Sequence, residues 1–530
     1  MTDDIAHYLS TTPAAAAWNK IGVRSHHGIC LPLFALHSQR SCGIGEFLDL
    51  LPLLPWIRQI GMDVIQLLPL NDTGLETSPY SALSAFALNP IHLSLHALPH
   101  LNQISQVTEK LRKIAYWTQP PRVKHHIVRE LKNAFFKEYI PIITPSITED
   151  SNYQNFVQAN QSWLEPYALF KSLKEKNYWR HWEEWPASIR ALDAQHYQEQ
   201  LLLCKESITH QMILQFLCYQ QLSGVKKQAE QAGVWLKGDI PILINRDSAD
   251  VWYHRQLFLT DRSAGAPPDM YSPDGQNWGF PLYDWSAMER EQHQWWKIRL
   301  KCAAQIYDIY RIDHIVGFFR IWAIPANRSA KEGYYFPSDS TTWIPAGERV
   351  MRMMLADTEM LPIGEDLGSV PPEVRQCLTR LGICGTKIMR WERRYDTDGG
   401  FIPPSDYPPI SMTSVSTHDS DTLQLWWKHS PKEAKSYCDF RGWDYQPFLS
   451  LDRHQDILQQ SHRSSSLFHI NLLQEYLALF PPLVSDNTNQ ERINVPGKIL
   501  DTNWTYRFNP SVEELVTHDQ LTMTMKEMIK

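Results

Sequence analysis

Short apolar runs of strand length, most of them closing on a charged or polar tip, recur along this chain and constrain its fold more than any other feature. Val64-Ile65-Gln66-Leu67-Leu68 stops at Pro69. Val234-Trp235-Leu236 leads into Gly238-Asp239, Gln305 to Arg311 into Asp313-His314, and Leu361-Pro362-Ile363 into Glu365-Asp366. Thr386 to Met389 leads into Arg390-Trp391, and Met412 to Val415 into Thr417-His418-Asp419. Helical patterns lie between them. In the clearest unit, Leu53, Leu54, Trp56, Ile57 and Ile60 share a helix face, Pro52 suits the first turn and Gly61 the end. Ser369 is expected to cap a helix from near Pro371 to Gly382. Helices feeding buried strands imply an α/β fold with a parallel sheet. Taken singly, a polar tip is an ordinary turn residue. Five or six tips ending in acids, Arg or His predict a (β/α)8 TIM barrel, whose active site is built at the C-terminal ends of its strands.

At roughly 150 residues per domain, 530 residues would make three or four domains, but a barrel with insertions can exceed about 400 residues as one unit. The expected organisation is a single catalytic domain over 1–530. Residues 30–100 hold the first barrel strands and loops, 101–232 a large mostly helical insertion, and 233–530 the rest of the barrel with extended active-site loops. LKNAFFKEY and PYALFKSLKEKNYWRHWEEW read as amphipathic helices. Pro, Gly, Asp, Asn and Ser content predicts surface loops at 143–152, 396–410 and 484–492.

Composition removes several function classes. With 51 Lys and Arg against 58 Asp and Glu, the net charge of −7 argues against nucleic acid as a partner. No apolar run approaches the roughly 18–20 residues that span a bilayer, so no membrane partner is expected. The first residues carry two acids and no apolar segment, unlike a secretory signal. Eight cysteines without a CxxC pair predict buried free thiols of a reducing compartment, the cytoplasm. The histidines of His26-His27, His92 with His96, and His125-His126 have no Cys or acid at ligand spacing, so no metal site is expected. Gly43-Ile44-Gly45 lacks the rest of a dinucleotide fingerprint, and no cofactor is implied. The 20 Trp, 22 Tyr and 19 Phe either fill a large aromatic core or also offer faces to sugar rings.

Three tip acids, Asp313, Glu365 and Asp419, are 52 and 54 residues apart. A barrel spends about 31 residues per βα unit, which puts them on neighbouring strands facing one pocket. Paired carboxylates there suit glycosidic chemistry. One attacks the anomeric carbon, and the other, with a raised pKa, protonates the leaving oxygen. Arg311 is expected to keep Asp313 ionised. For any one acid, a structural ion pair is the competing reading.

The chain resembles the 4-α-glucanotransferases of the amylomaltase type, glycoside hydrolase family 77, from about residue 30 to 510. The resemblance is carried by SCGIGEF, QLLPLNDTG, SPYSALSAFALNP, WLKGDIPILINRDSADVW, GAPPDMYSPDGQNWGFPLYDW, YRIDHIVGFFRIWAIP, IGEDLGSVPPEV, GTKIMRWER, VSTHDSDT, RINVPG and NWTYR. Two segments, SPYSALSAFALNP and GAPPDMYSPDGQNWGFP, are similar in wording to the plant cytosolic type-2 disproportionating enzymes. Those carry starch-binding modules and a large insertion between nucleophile and acid, for which this chain has no room. The resemblance implies a retaining transfer of an α-1,4-glucan segment to glucose or another glucan, in glycogen, starch and maltooligosaccharide metabolism. It implies Asp313 as nucleophile, Glu365 as general acid/base and Asp419 as transition-state stabiliser. It implies sugar contacts for Arg311, His418, Tyr80, Asp239 and Asn494, with Ser78 beside Tyr80 either a contact or a turn residue. Asp269, Gln276 and Trp278 fall in a loop, Gly265 to Gly279 with Tyr271, that would cover the acceptor side. Asp366 reads as structural, and Phe318, Phe319 and Trp322 as packing. A hydrolase of the same barrel type and an idle glycogen-binding protein are the rival readings.

Overall fold

In the computed structural model, which describes residues 2–191, 193–268, 272–339 and 341–530, strands β1 (His26–Leu31) and β2 (Val64–Leu67) pair in parallel. The same sheet continues through β3 (Trp235–Ile240), β4 (Ile309–Ile312) and β5 (Leu361–Gly364). It is completed by β6 (Gly385–Ile388), β7 (Ser411–Ser414) and β8 (Phe468–Leu472). The spatial order is β5-β4-β3-β2-β1-β8-β7-β6. A parallel bridge between Ile363 and Cys384, with the Gly364 amide donating to the Cys384 carbonyl at 2.8 Å, joins the two ends. The sheet is thus the predicted (β/α)8 barrel. The strands form where β-branched and aliphatic residues run short and continuous, and each is buried by helices outside and side chains inside.

The predicted helix over Leu53–Ile60 is present, ended by Gly61 in the left-handed region at φ 100°. Its buried residues are Leu53, Leu54, Trp56, Ile57 and Ile60, the face read from the sequence. Between β2 and β3 run the long helices His125–Glu149, Ser151–Lys176 and Lys205–Ala232. Buried ion pairs tie them to the barrel loops. Lys132 reaches Glu46 at 2.5 Å and the Ile91 carbonyl at 2.7 Å, while Lys171 and Tyr167 both donate to Asp72 in the loop after β2. Between β3 and β5 a small antiparallel sheet stands over the barrel end. It is ordered Tyr334–Phe336, Ile321–Pro325, Arg262–Ala266 and Gln276–Asn277.

Four local expectations are corrected. Residues 143–149 are helical rather than loop, because Ile140, Ile143 and Ile147 bury one face and tertiary packing overrides the prolines. The helix in PYALFKSLKEKNYWRHWEEW stops at Lys176, and Tyr178 and Trp179 follow in the left-handed region. Ser369 does not cap the helix Pro372–Leu381; Pro371 precedes it in extended backbone. Strands β1 and β8 escaped the sequence pattern because they carry buried polar residues, with His27 stacked on His469 at 4.6 Å and Asn471 fully buried.

All eight cysteines are buried and free. Among the described residues no helix is long and apolar enough to cross a membrane.

Burial pushes the imidazole of His92 down to about 4 and that of His125 down to about 3. Both are neutral in the fold, whereas the unfolded chain takes up protons near the ordinary 6.5. Their contribution to stability is therefore complete above pH 6.5 and is lost as the pH falls toward 4 and then 3. At pH 5 the loss is about 2 kcal/mol for each histidine. Urea unfolding is expected to show a lower midpoint at pH 5.0 than at pH 7.5. The His92→Gln, His125→Gln double variant should lose less between the two.

Candidate active site

The register of the barrel sets the site. Asp239 on β3 lies opposite Arg311 on β4, and Arg311 lies opposite Ile363 on β5. Side chains alternate along a strand, so Arg311 and Asp313 point the same way, and Glu365 follows β5 at the same level. The Arg311 guanidinium is buried among all three acids. Its Nη1 donates to both oxygens of Asp239, at 2.8 and 2.9 Å. Its Nη2 lies 2.9 Å from Asp313 Oδ1 and 3.0 Å from Glu365 Oε2. Two oxygens sharing one nitrogen lie within about 6 Å of each other, so the two carboxyls face a common point.

Asp419 enters from the loop after β7. Asn494 Nδ2 donates to its Oδ1 at 2.7 Å, and His418 Nε2 lies 3.3 Å from its Oδ2. Tyr80, in the loop after β2, donates its hydroxyl to Asp239 Oδ2 at 2.8 Å and meets His418 Nε2 at 3.0 Å. The Tyr80 and His418 rings are stacked at 5.5 Å. The side chains of Asp313 and Glu365 remain 23% exposed and that of Asp419 43%, so all three acids are open to a solute.

Charge is distributed unevenly. Burial, with Glu365 and Asp239 nearby, raises Asp313 to about 7 against the pull of Arg311. Glu365, despite its desolvation, is held below its usual range by Arg311 and by the amide of His314, which donates to its Oε2 at 2.8 Å. Asp419, against its own desolvation, is drawn down to about 2 by His418 and Asn494, and the same contact raises His418. This corrects the expected order. In the ligand-free site Asp313 is the carboxyl pushed up and Glu365 the one held down. The reason is geometric, since Asp239 takes one whole Nη of Arg311, and Glu365 has an additional amide donor that Asp313 lacks.

Other predicted residues are placed as follows. Ser78 Oγ accepts from the Tyr80 amide at 3.4 Å, so its hydroxyl serves the turn that presents Tyr80. Gln276 and Trp278 belong to the covering segment, where Gln276 Oε1 accepts from Trp278 Nε1 at 3.1 Å. The Trp278 ring meets the His314 ring edge-on at 5.0 Å. Asp269 and Tyr271 lie outside the described residues. Asp366 is buried and accepts from Arg375 and the Thr386 amide, a structural role as expected. Phe318 and Phe319 are buried, and Trp322 donates to the Ala330 carbonyl.

A family model described as 4-alpha-glucanotransferase, glycoside hydrolase 77, matches residues 31–513. The chain belongs to this family. A 4-alpha-glucanotransferase of Chlamydia caviae is 45% identical over 96% of this chain and 96% of its own. The 4-alpha-glucanotransferase DPE2 of rice is 25% identical over 95% of this chain and 69% of its own, in an alignment 666 residues long. The plant protein thus carries inserted sequence that this chain lacks. The amylomaltase of Streptococcus agalactiae, solved with acarbose, superposes with a TM-score of 0.81 over 95% of this chain and 98% of its own, at 23% identity. The fold is that of an amylomaltase.

Residues that sequence reasoning did not single out also border this cluster. Arg492 donates to the carbonyls of Asp419, at 3.1 Å, and Asn494, at 2.6 Å. Glu475, fully buried, accepts from Ser416 Oγ and from the Leu423 amide at 3.1 Å, fixing both ends of the loop that carries His418 and Asp419. The Trp504 ring lies 5.7 Å from Tyr80 and 5.9 Å from His418. Arg492 and Trp504 sit in RINVPG and NWTYR, segments that signalled the family without signalling these roles.

Arg311→Lys is expected to lower kcat by at least about 100-fold, because one ammonium cannot present two nitrogens to three carboxylates. Initial rates on maltotriose, with the thermal midpoint as a folding control, check this.

Proposed function

We propose that this 4-alpha-glucanotransferase works by double displacement through a glycosyl group carried on Asp313. The observation that supports this reading most is the shared guanidinium, which brings one oxygen of each carboxyl to the same nitrogen. Attack needs Asp313 ionised and Glu365 protonated, the reverse of the directions in which the ligand-free site pushes them. A glycosidic oxygen accepting from Glu365 favours its protonated form, and Asp313, losing the proton, becomes the nucleophile. Asp313 then attacks the anomeric carbon as Glu365 protonates the departing chain, and a β-linked glycosyl-enzyme forms. A second glucan or glucose enters, Glu365 takes the proton of its 4-hydroxyl, and an α-1,4 bond is made with net retention. Asp419, ionised and held by Asn494 and His418, stabilises positive charge on the sugar ring and holds its hydroxyls. Tyr80, Asp239, Arg311 and His418 line the donor side, and Gln276 and Trp278 the acceptor side. Ser78 acts through Tyr80. Asp269 completes the covering loop.

The same reading takes the whole chain as one catalytic unit, with 101–232 as an insertion bracing the loop that carries Tyr80. The protein works in the cytoplasm, consistent with eight buried free thiols. Its substrates are α-1,4-glucans and glucose, drawn from glycogen, starch or maltooligosaccharides.

Incubation with maltotriose alone is expected to give glucose and a ladder of longer maltooligosaccharides at constant total reducing ends. A rise in reducing ends without longer products would replace this reading with hydrolysis. Maltotriosyl fluoride separates the two carboxyls, since fluoride leaves without protonation. Glu365→Gln should still release a burst of fluoride while losing at least about 1,000-fold on maltotriose, whereas Asp313→Asn should give no burst.

A further inference from the structure

The residue after Asp313 stands in an unusual backbone conformation. His314 has φ 42°, in the left-handed region that a residue with a bulky side chain enters only when its surroundings hold it there. Its amide donates to Glu365 Oε2 at 2.8 Å, and the next amide, of Ile315, donates to the Glu365 carbonyl at 3.2 Å. Two successive amides therefore hold the side chain and the main chain of the same glutamate. The His314 carbonyl accepts from Gly317 at 2.8 Å, closing the turn Ile315–Phe318. At Gly317 a Cβ would stand 3.1 Å from His314 Cδ2, so the ring is packed tightly on that side.

On another side is the covering segment. Trp278 meets the His314 ring at 5.0 Å with an interplanar angle of 84°. The indole nitrogen is engaged by Gln276, and the Trp278 amide donates to Ala264 at 2.9 Å. Gln276–Asn277 pairs with Gly265 and Ala266, and the same strand pairs with Ile321–Pro325, which follows His314 in the chain. The covering segment is therefore linked to the His314 turn twice, by the ring contact and through the antiparallel sheet. The titratable and charged groups facing Glu365 are Arg311, Asp313 and Asp419, with His314 itself.

We propose that His314 is a positioning residue that couples the covering segment to Glu365, so that an acceptor seated against Trp278 sets the hydrogen bond by which Glu365 is held for the second step. The inference rests on the transfer mechanism above and adds how the site distinguishes a sugar from water. Water displaces nothing on Trp278 and leaves Glu365 tied to the His314 amide and Arg311. A sugar that shifts Trp278 moves the His314 turn and frees the carboxylate to take the proton of the incoming hydroxyl.

The test is a double-mutant cycle on the transfer-to-hydrolysis ratio with maltotriose, using His314→Gly, Trp278→Ala and the two combined. Glycine accepts positive φ, so His314→Gly keeps the turn and the amide donor while removing the ring. His314→Asn, which also tolerates this region, serves if the glycine variant folds poorly. Each single change is expected to lower the ratio about tenfold, and the double variant about tenfold again rather than a hundredfold, because one coupling is being cut twice. The fluoride burst from maltotriosyl fluoride should change by less than about twofold in the two His314 variants, since the first step with that donor needs no proton from Glu365. A general loss of structure would lower the burst as well. Multiplying effects, or an unchanged ratio in both His314 variants of an otherwise disproportionating enzyme, would overturn the coupling alone. A native chain that builds no ladder would overturn the transfer mechanism and the coupling with it.

Discussion

One guanidinium gathers this site. Arg311 neutralises Asp239 through one nitrogen and bridges Asp313 and Glu365 through the other. Three carboxylates so close in a buried place would repel one another strongly in a low-dielectric setting. With the cation among them they share a defined geometry. The barrel supplies that geometry through register rather than through loops, since Asp239 and Arg311 are direct neighbours across β3 and β4. The strand ladder thus fixes Asp239 and Arg311 on rigid elements and carries Asp313 and Glu365 one residue beyond them, where small errors of position cost most.

Around this centre the structure spends further buried polar contacts on loops. Glu475 and Arg492 pin the loop after β7 from two sides, and Asn494 fixes the carboxylate itself. The rings of Tyr80, His418 and Trp504 pack together while their polar edges serve Asp239 and Asp419. The long helices after β2 reach the same region through Asp72, held by Lys171 and Tyr167. Removing one partner of such a buried pair typically costs about 3–5 kcal/mol, more than the pair contributes over an apolar substitute. Their use beside the site is therefore better understood as fixing loop geometry than as adding stability.

Much of this was legible in the sequence, and the parts that were not have a common cause. Strand β2 announced itself as an apolar run stopped by a proline, and β3 to β7 as runs that led into a tip with no packing reason to be charged or polar. Strands β1 and β8 did not, because their polar residues find partners far along the chain: His26 pairs with Asp63, and Asn471 accepts from the Val415 amide. The candidate acids were legible for the same reason as the strands, by position at a tip. Their protonation order was not. It depends on how Arg311 divides its two nitrogens and on one amide of a left-handed turn, neither of which has a sequence periodicity. Ser78 shows a polar residue beside the site whose hydroxyl oxygen accepts from the amide of the turn that presents Tyr80.

The cysteines extend these facts to the molecule's motions. Cys30 and Cys384 lie on or beside barrel strands, Cys204 and Cys218 among the helices after β2, and Cys438 in the peripheral helix Pro431–Arg441. Each is sealed from solvent, so a thiol reagent can reach it only when its surroundings open. The rate at which each thiol is modified under native conditions then measures the opening of its own neighbourhood. The chain carries, without any engineering, a set of clocks distributed over barrel, helical region and periphery, and the order in which they run records which part lets go first.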